Sequence, residues 1–147
     1  MLTSLQQEFS LAQALTTTGD PSDNILDLGA TGTVLGSPAA LVRDIGKGKP
    51  IPIYVKLDVD AGGTNPTIQV VVEVDTVEGF GSPTTVLSTE VSSDGLAGDE
   101  LYFEAYLPEG VNQRYLRLDY ILTGTTPTYT VTAGVCMARP TSVVPGA

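Results

Sequence analysis

The chain has 147 residues, 17 acidic and 7 basic, and its net charge of −10 argues against binding to nucleic acid or to an anionic membrane surface. It has no histidine and one cysteine, which excludes a disulfide-built scaffold, His-dependent nucleophilic catalysis and most zinc or non-haem iron sites. With 41% apolar and only 16% charged residues, it has the length and composition of one domain with an ordinary core and a weakly charged surface.

Residues 1–20 (MLTSLQQEFSLAQALTTTGD) come first. Leu5, Phe9 and Ala12 fall at helical spacing, while Phe9, Leu11, Gln13 and Leu15 fit a strand equally well, so the element type stays open. Without a basic leader or a continuous apolar run, this segment is not read as a signal peptide, and no stretch is long enough to span a membrane as a helix. Asp20-Pro21-Ser22-Asp23 is turn chemistry, and Asn24–Leu28 reads as a short strand ended by Gly29. Residues 29–50 have no clean period. They predict a long loop with one helical turn at Ala39–Arg43, and a loop of that length is a candidate contact surface.

Ile51–Val59 and Thr67–Asp75 alternate strictly, and the turn Asp60–Pro66 between them predicts a hairpin. Pro52 cannot donate to a ladder and belongs near a strand start or on an edge. Thr84–Thr89 is a shorter strand, and Ser92–Gly98 is a loop holding an Asp-Gly turn. Leu101–Leu107, Tyr115–Leu122 and Tyr129–Met137 then keep a two-residue rhythm, each burying one face; Cys136 reads as a small buried apolar residue. The sum is an all-β fold, a jelly-roll-like β-sandwich of about seven or eight strands with extended N- and C-terminal arms. The divisions are an arm over 1–20, the sandwich over 21–137 and a tail over 138–147.

Glu73, Asp75, Glu104 and Asp119 fall on polar strand faces, where a carboxylate pair for glycoside hydrolysis is weighed against a solvated face and the solvated face preferred. Asp58-Val59-Asp60-Ala61-Gly62-Gly63 resembles part of a calcium loop but lacks the closing acidic residue, so a hairpin tip is the reading. Without tryptophan, an aromatic sugar platform has little to build on. The expectation is therefore a non-enzyme with no metal or cofactor.

The order FSLAQALTTTG, NILDLG and then LPEG-x-x-x-RYLRLDY-x-LTGTTPTYTVTAGV resembles the small capsid cement proteins of short-tailed bacteriophages, the family typified by the cement protein of a Bordetella phage. The likeness runs from about residue 8 to 136 and is strongest over Leu107–Val135. It implies a jelly roll, homo-oligomers with dimers favoured, synthesis in the host bacterial cytoplasm, and placement on the outer surface of the virion. There the chain would bind the mature shell and stabilise contacts between major capsid protein subunits. It assigns no catalytic, cofactor or metal residue. The alternative is a tail- or fibre-associated or carbohydrate-binding β-sandwich module. The candidate oligomer or capsid contacts are Leu5, Phe9, Leu11 and Leu15 in the arm, with the cations Arg43, Arg114 and Arg117.

Overall fold

A computed structural model of the chain describes residues 3–136 apart from 49, 93–95 and 100, with side chains from residue 6 onward. Eight strands follow one another: β1 (Thr3–Leu15), β2 (Asp20–Pro21), β3 (Leu26–Asp27), β4 (Pro52–Leu57), β5 (Gly62–Asp75), β6 (Thr84–Ser88), β7 (Leu101–Tyr106) and β8 (Tyr115–Cys136). A single 3-10 turn at Ile45–Lys47 is the only helical element among the described residues.

All seven pairings are antiparallel, and β8 takes part in five of them. Its first half pairs with β5 on one side and with β2 and β3 on the other; its second half pairs with β4 and β1. β6 closes the edge beyond β5, and β7 the edge beyond β4. Two layers result, β6-β5-β8 with β2 and β3, and β7-β4-β8-β1, and the chain crosses repeatedly between them. This is an all-β, jelly-roll-like sandwich. Its core joins Ile68, Val70, Val72 and Val74 of β5 and Leu116, Leu118, Tyr120 and Leu122 of β8 to Ile53, Val55 and Leu57 of β4.

β8 serves both layers because it bends in a threonine-rich stretch. Gly124 has φ +116° there, and a Cβ on it would lie 2.6 Å from the carbonyl oxygen of Asn65. That backbone region is essentially restricted to glycine. The two periodic runs Tyr115–Leu122 and Tyr129–Met137 are therefore halves of one strand as far as Cys136, where description stops.

Two expectations are corrected. Ile51–Val59 and Thr67–Asp75 do not form a hairpin: β4 pairs with β7 and β8, whereas β5 pairs with β6 and β8. The four-residue connection over 58–61 carries the chain from one layer to the other, and the partner the two strands share, β8, lies far along the sequence. The N-terminal arm is also overturned. β1 lies on β8 within the sheet, and Phe9 and Leu15 are completely buried in the domain's own core. The turn at Gly19–Asp23 does not detach the segment. It passes the chain to the other layer, where β2 pairs with Tyr120 and Asp119 of β8.

Register shifts in β1 explain why its sequence reads ambiguously. The four residues Ser10–Gln13 face the three residues Val131–Ala133, and Ala12 takes φ +49° at this bulge. A separate shift between Glu8 and Ser10 also breaks the alternation: Phe9 and Ser10 are both buried and Leu11 is exposed. Buried Ser10 shares a 2.8 Å hydrogen bond with Tyr120, so its hydroxyl is satisfied within the core. At the opposite edge of the same layer, β7 buries its residues less than strict alternation predicts: Leu101 is exposed and Phe103 only partly covered. The strand predicted at Asn24–Leu28 contracts to Leu26–Asp27. The tail over 138–147 lies outside the described residues.

Candidate interaction surface

Between β3 and the 3-10 turn, the chain leaves the sandwich and returns. Leu41 donates its N–H to the carbonyl of Gly32 at 2.8 Å, and Thr33 bridges Ala40, so the excursion is a small hairpin where the sequence predicts a helical turn. Its tip is a turn over Val34–Ser37, closed by a 2.9 Å bond from the Ser37 N–H to the Val34 carbonyl. Gly36 occupies the third position with φ +83°, as a type II turn requires. A following Pro38 restricts the return strand further.

The base of the hairpin is fastened to the sandwich. Arg43 donates from Nη2 to the Gly29 carbonyl at 2.7 Å and from Nη1 to the Gln113 carbonyl at 3.4 Å. Leu28 donates its N–H to the Arg114 carbonyl at 2.8 Å, and Ile45 donates to the Val111 carbonyl at 3.1 Å. Asp44 accepts the N–H of Gly110 at 3.1 Å. Arg114 meets Asp27 in a two-point ion pair, 2.8 Å from Nε to Oδ1 and 2.6 Å from Nη2 to Oδ2. The guanidinium of Arg114, helped by the Gly29 N–H, holds the Asp27 carboxyl down at about 2.

What the hairpin presents is apolar. Ten large apolar side chains are exposed among the described residues, and four of them lie between Val34 and Val42. Leu35 and Val42 are essentially fully exposed, and Val34 and Leu41 more than half exposed. No charged residue occurs between Asp27 and Arg43. Single exposed aliphatics are ordinary on protein surfaces, but four within nine residues of one hairpin make it a candidate contact site.

The three sequence-predicted cations divide. Arg43 and Arg114 come together beside the hairpin base, where with Asn112, Gln113 and Gly29 they line a shallow groove of about 270 Å³. Arg117 does not line it. It pairs with Glu73 at 2.8 Å and lies 4.2 Å from the centroid of the Phe80 ring, with only 18% of its side chain exposed. Its role is to fasten the Phe80 loop to the sheet. Of the predicted apolar contacts, Leu11 is exposed, Phe9 and Leu15 are core residues, and the Leu5 side chain lies outside the described residues.

A second apolar recess of about 300 Å³ opens beside the hairpin base, lined chiefly by Leu26, Leu28, Ile45, Ile51, Leu107 and Val135. Sequence reasoning placed a contact surface somewhere in 29–50 but named none of the hairpin's apolar residues. The available signal was the run LGATGTVLGSPAALV, uncharged within an acidic chain and containing four large aliphatics after Leu28.

Asp75, Asp58 and Asp60, among the carboxylates considered for chemistry, have structural partners. Asp75 is buried and accepts the N–H groups of Val77 and Ser82, which hold its carboxyl below the usual range; it is therefore not on a solvated face. Asp58 accepts the Thr132 hydroxyl at 2.7 Å, and Asp60 accepts the Gly98 N–H at 2.7 Å. Among the described residues, no three carboxylate or thiol groups converge as metal ligands. A scan against protein-family models finds no match to this chain, and a search of curated proteins finds none either.

Proposed function

We propose that this chain is a structural capsid cement protein. It binds the outer surface of a mature bacteriophage shell, stabilises contacts between major capsid protein subunits, and does so as a homo-oligomer, with a dimer favoured. The observation that carries the reading is the fastened hairpin, whose exposed aliphatics form a contact surface without charge in a chain of net charge −10. Interface cores are depleted of charge in the same way. The segment order that resembles the cement family supplies the identity of the partner. The internal partners of Asp27, Glu73 and Asp75 support a binding role without catalysis or cofactor.

Binding the mature shell in preference to unassembled coat protein stabilises that state by mass action. Many identical weak contacts on one lattice then combine through avidity. Heating virions prepared with and without the protein tests the reading: the decorated particles disrupt at the higher temperature, and equal disruption temperatures reject reinforcement. Imaging of the virion separates this from the alternative. Density over the shell lattice agrees with cement, whereas density confined to the tail identifies a fibre-associated or carbohydrate-binding module.

A further inference from the structure

We propose that the hairpin over residues 29–42 is the docking element, and that its occupant is an apolar cleft with an acidic rim on the assembled shell. The inference rests on the cement reading and specifies how that contact is made.

Three observations lead to it. The tip is preorganised: the Val34–Ser37 turn, the Thr33–Ala40 bridge and the Arg43 bond to Gly29 fix its shape before any partner arrives. Little ordering cost then opposes binding. Leu35 and Val42 have almost no cover within the chain, so the apolar area they lose to a partner adds directly to affinity.

Charge selects the rim. Arg43 donates only to carbonyl oxygens, and among the described residues no carboxylate lies within ion-pair distance of it. Lys47, at the same base, is largely exposed and 3.6 Å from Asp44. An acidic partner would be repelled by most of a chain of net charge −10, but the hairpin approaches it with aliphatics backed by these two cations. That polarity orients the molecule: the hairpin faces the shell and the acidic remainder faces solvent.

Co-sedimentation of the full chain with mature shells, assembled from the coat protein of the phage that carries it and free of this protein, is the test. Leu35→Asp combined with Val42→Asp alters only exposed positions, and an unchanged melting temperature verifies its fold. The double variant is expected to bind shells on the order of 100-fold more weakly. Lys47→Glu is expected to weaken binding several-fold and to flatten its salt dependence. If wild-type protein does not sediment with shells, the cement reading falls and the docking proposal with it. If wild type binds and the double variant binds within threefold of it, the docking proposal alone is overturned. If the double variant still binds shells but no longer self-associates, the hairpin is a contact between copies, which also overturns the proposal.

Discussion

Arg43 reaches across the neck of the 29–42 hairpin to the carbonyl of Gly29, at 2.7 Å, so that one side chain closes the two ends of the excursion onto each other. The same guanidinium touches the Gln113 carbonyl, tying the neck to the segment that leads into β8. A charged donor on neutral carbonyls is among the stronger hydrogen bonds of a partly exposed site.

Replacing Arg43 with Met removes the latch and keeps the aliphatic stem. The loss is expected to be about 1–2 kcal/mol, concentrated in the hairpin and not spread over the sandwich. Hydrogen exchange is the measure: the N–H of Leu41, bonded to Gly32, loses protection, while amides of β5 and the first half of β8 keep theirs. Uniform loss of protection, or none at all, contradicts a local latch.

Removing residues 1–18 is expected to unfold the domain. The deletion strips β1 from β8 and takes Phe9 and Leu15 out of the core. A Phe→Ala change at a fully buried site costs about 3–5 kcal/mol, out of the roughly 5–15 kcal/mol that holds a domain together. Phe9→Ala alone is therefore expected to lower the melting temperature strongly, and Leu11→Ala, at an exposed position, to leave it nearly unchanged. Circular dichroism melts of the two variants and the truncation decide the matter. A folded truncated domain would restore the detached arm.

The inward residues of β4, β5 and the first half of β8 follow from alternation alone, because those strands keep one unbroken period. Ile53, Val55 and Leu57, or Val70, Val72 and Val74, are buried where the pattern puts them. Pairing is another matter. β4 and β5 are neighbours in sequence and look like a hairpin, yet the partner of both is β8, more than forty residues on, and no local signal encodes that choice. β1 was obscured by its bulges, which break the period that would have marked it as a strand. The hairpin surface was half legible. Its length and lack of charge show in the sequence, but exposure depends on the Arg43 and Asp44 anchors, whose partners Gln113 and Gly110 are distant in the chain.

Gly124→Ala tests the bend that lets β8 serve both layers. The residue has φ +116°, and the added methyl would sit 2.6 Å from the Asn65 oxygen and 2.9 Å from that of Thr64. Backbone strain alone costs about 1–3 kcal/mol, and the contact with main-chain oxygens adds to it. Gly32→Ala is the control, since it has open space and no left-handed backbone. The melting temperature should fall clearly for Gly124→Ala and stay put for Gly32→Ala. Equal melts would mean that β8 can bend without glycine.

Two carboxylates are expected to move stability with pH in opposite directions. Burial, aided by nearby Glu73, raises the pKa of Asp119 above its ordinary value, with Arg117 offsetting part of the shift. An acid whose folded pKa is raised holds its proton more tightly in the folded state. Stability is therefore gained as pH falls through that folded value, and the gain is complete below the unfolded value of about 3.9. At pH 7 the ionised Asp119 is a burden, so Asp119→Asn should melt higher than wild type, with the advantage gone near pH 3. Asp27 behaves oppositely, because Arg114 holds it down at about 2. Its contribution is present above the unfolded value and is lost as pH falls from about 4 through about 2. Asp27→Asn should therefore melt lower than wild type at pH 7 and converge with it at the acid end. The pair is nearly half exposed on both sides, so its effect should be small and should shrink further in high salt. Melting temperatures of the three proteins between pH 2 and pH 8 resolve both claims, and curves that stay parallel to wild type throughout would reject them.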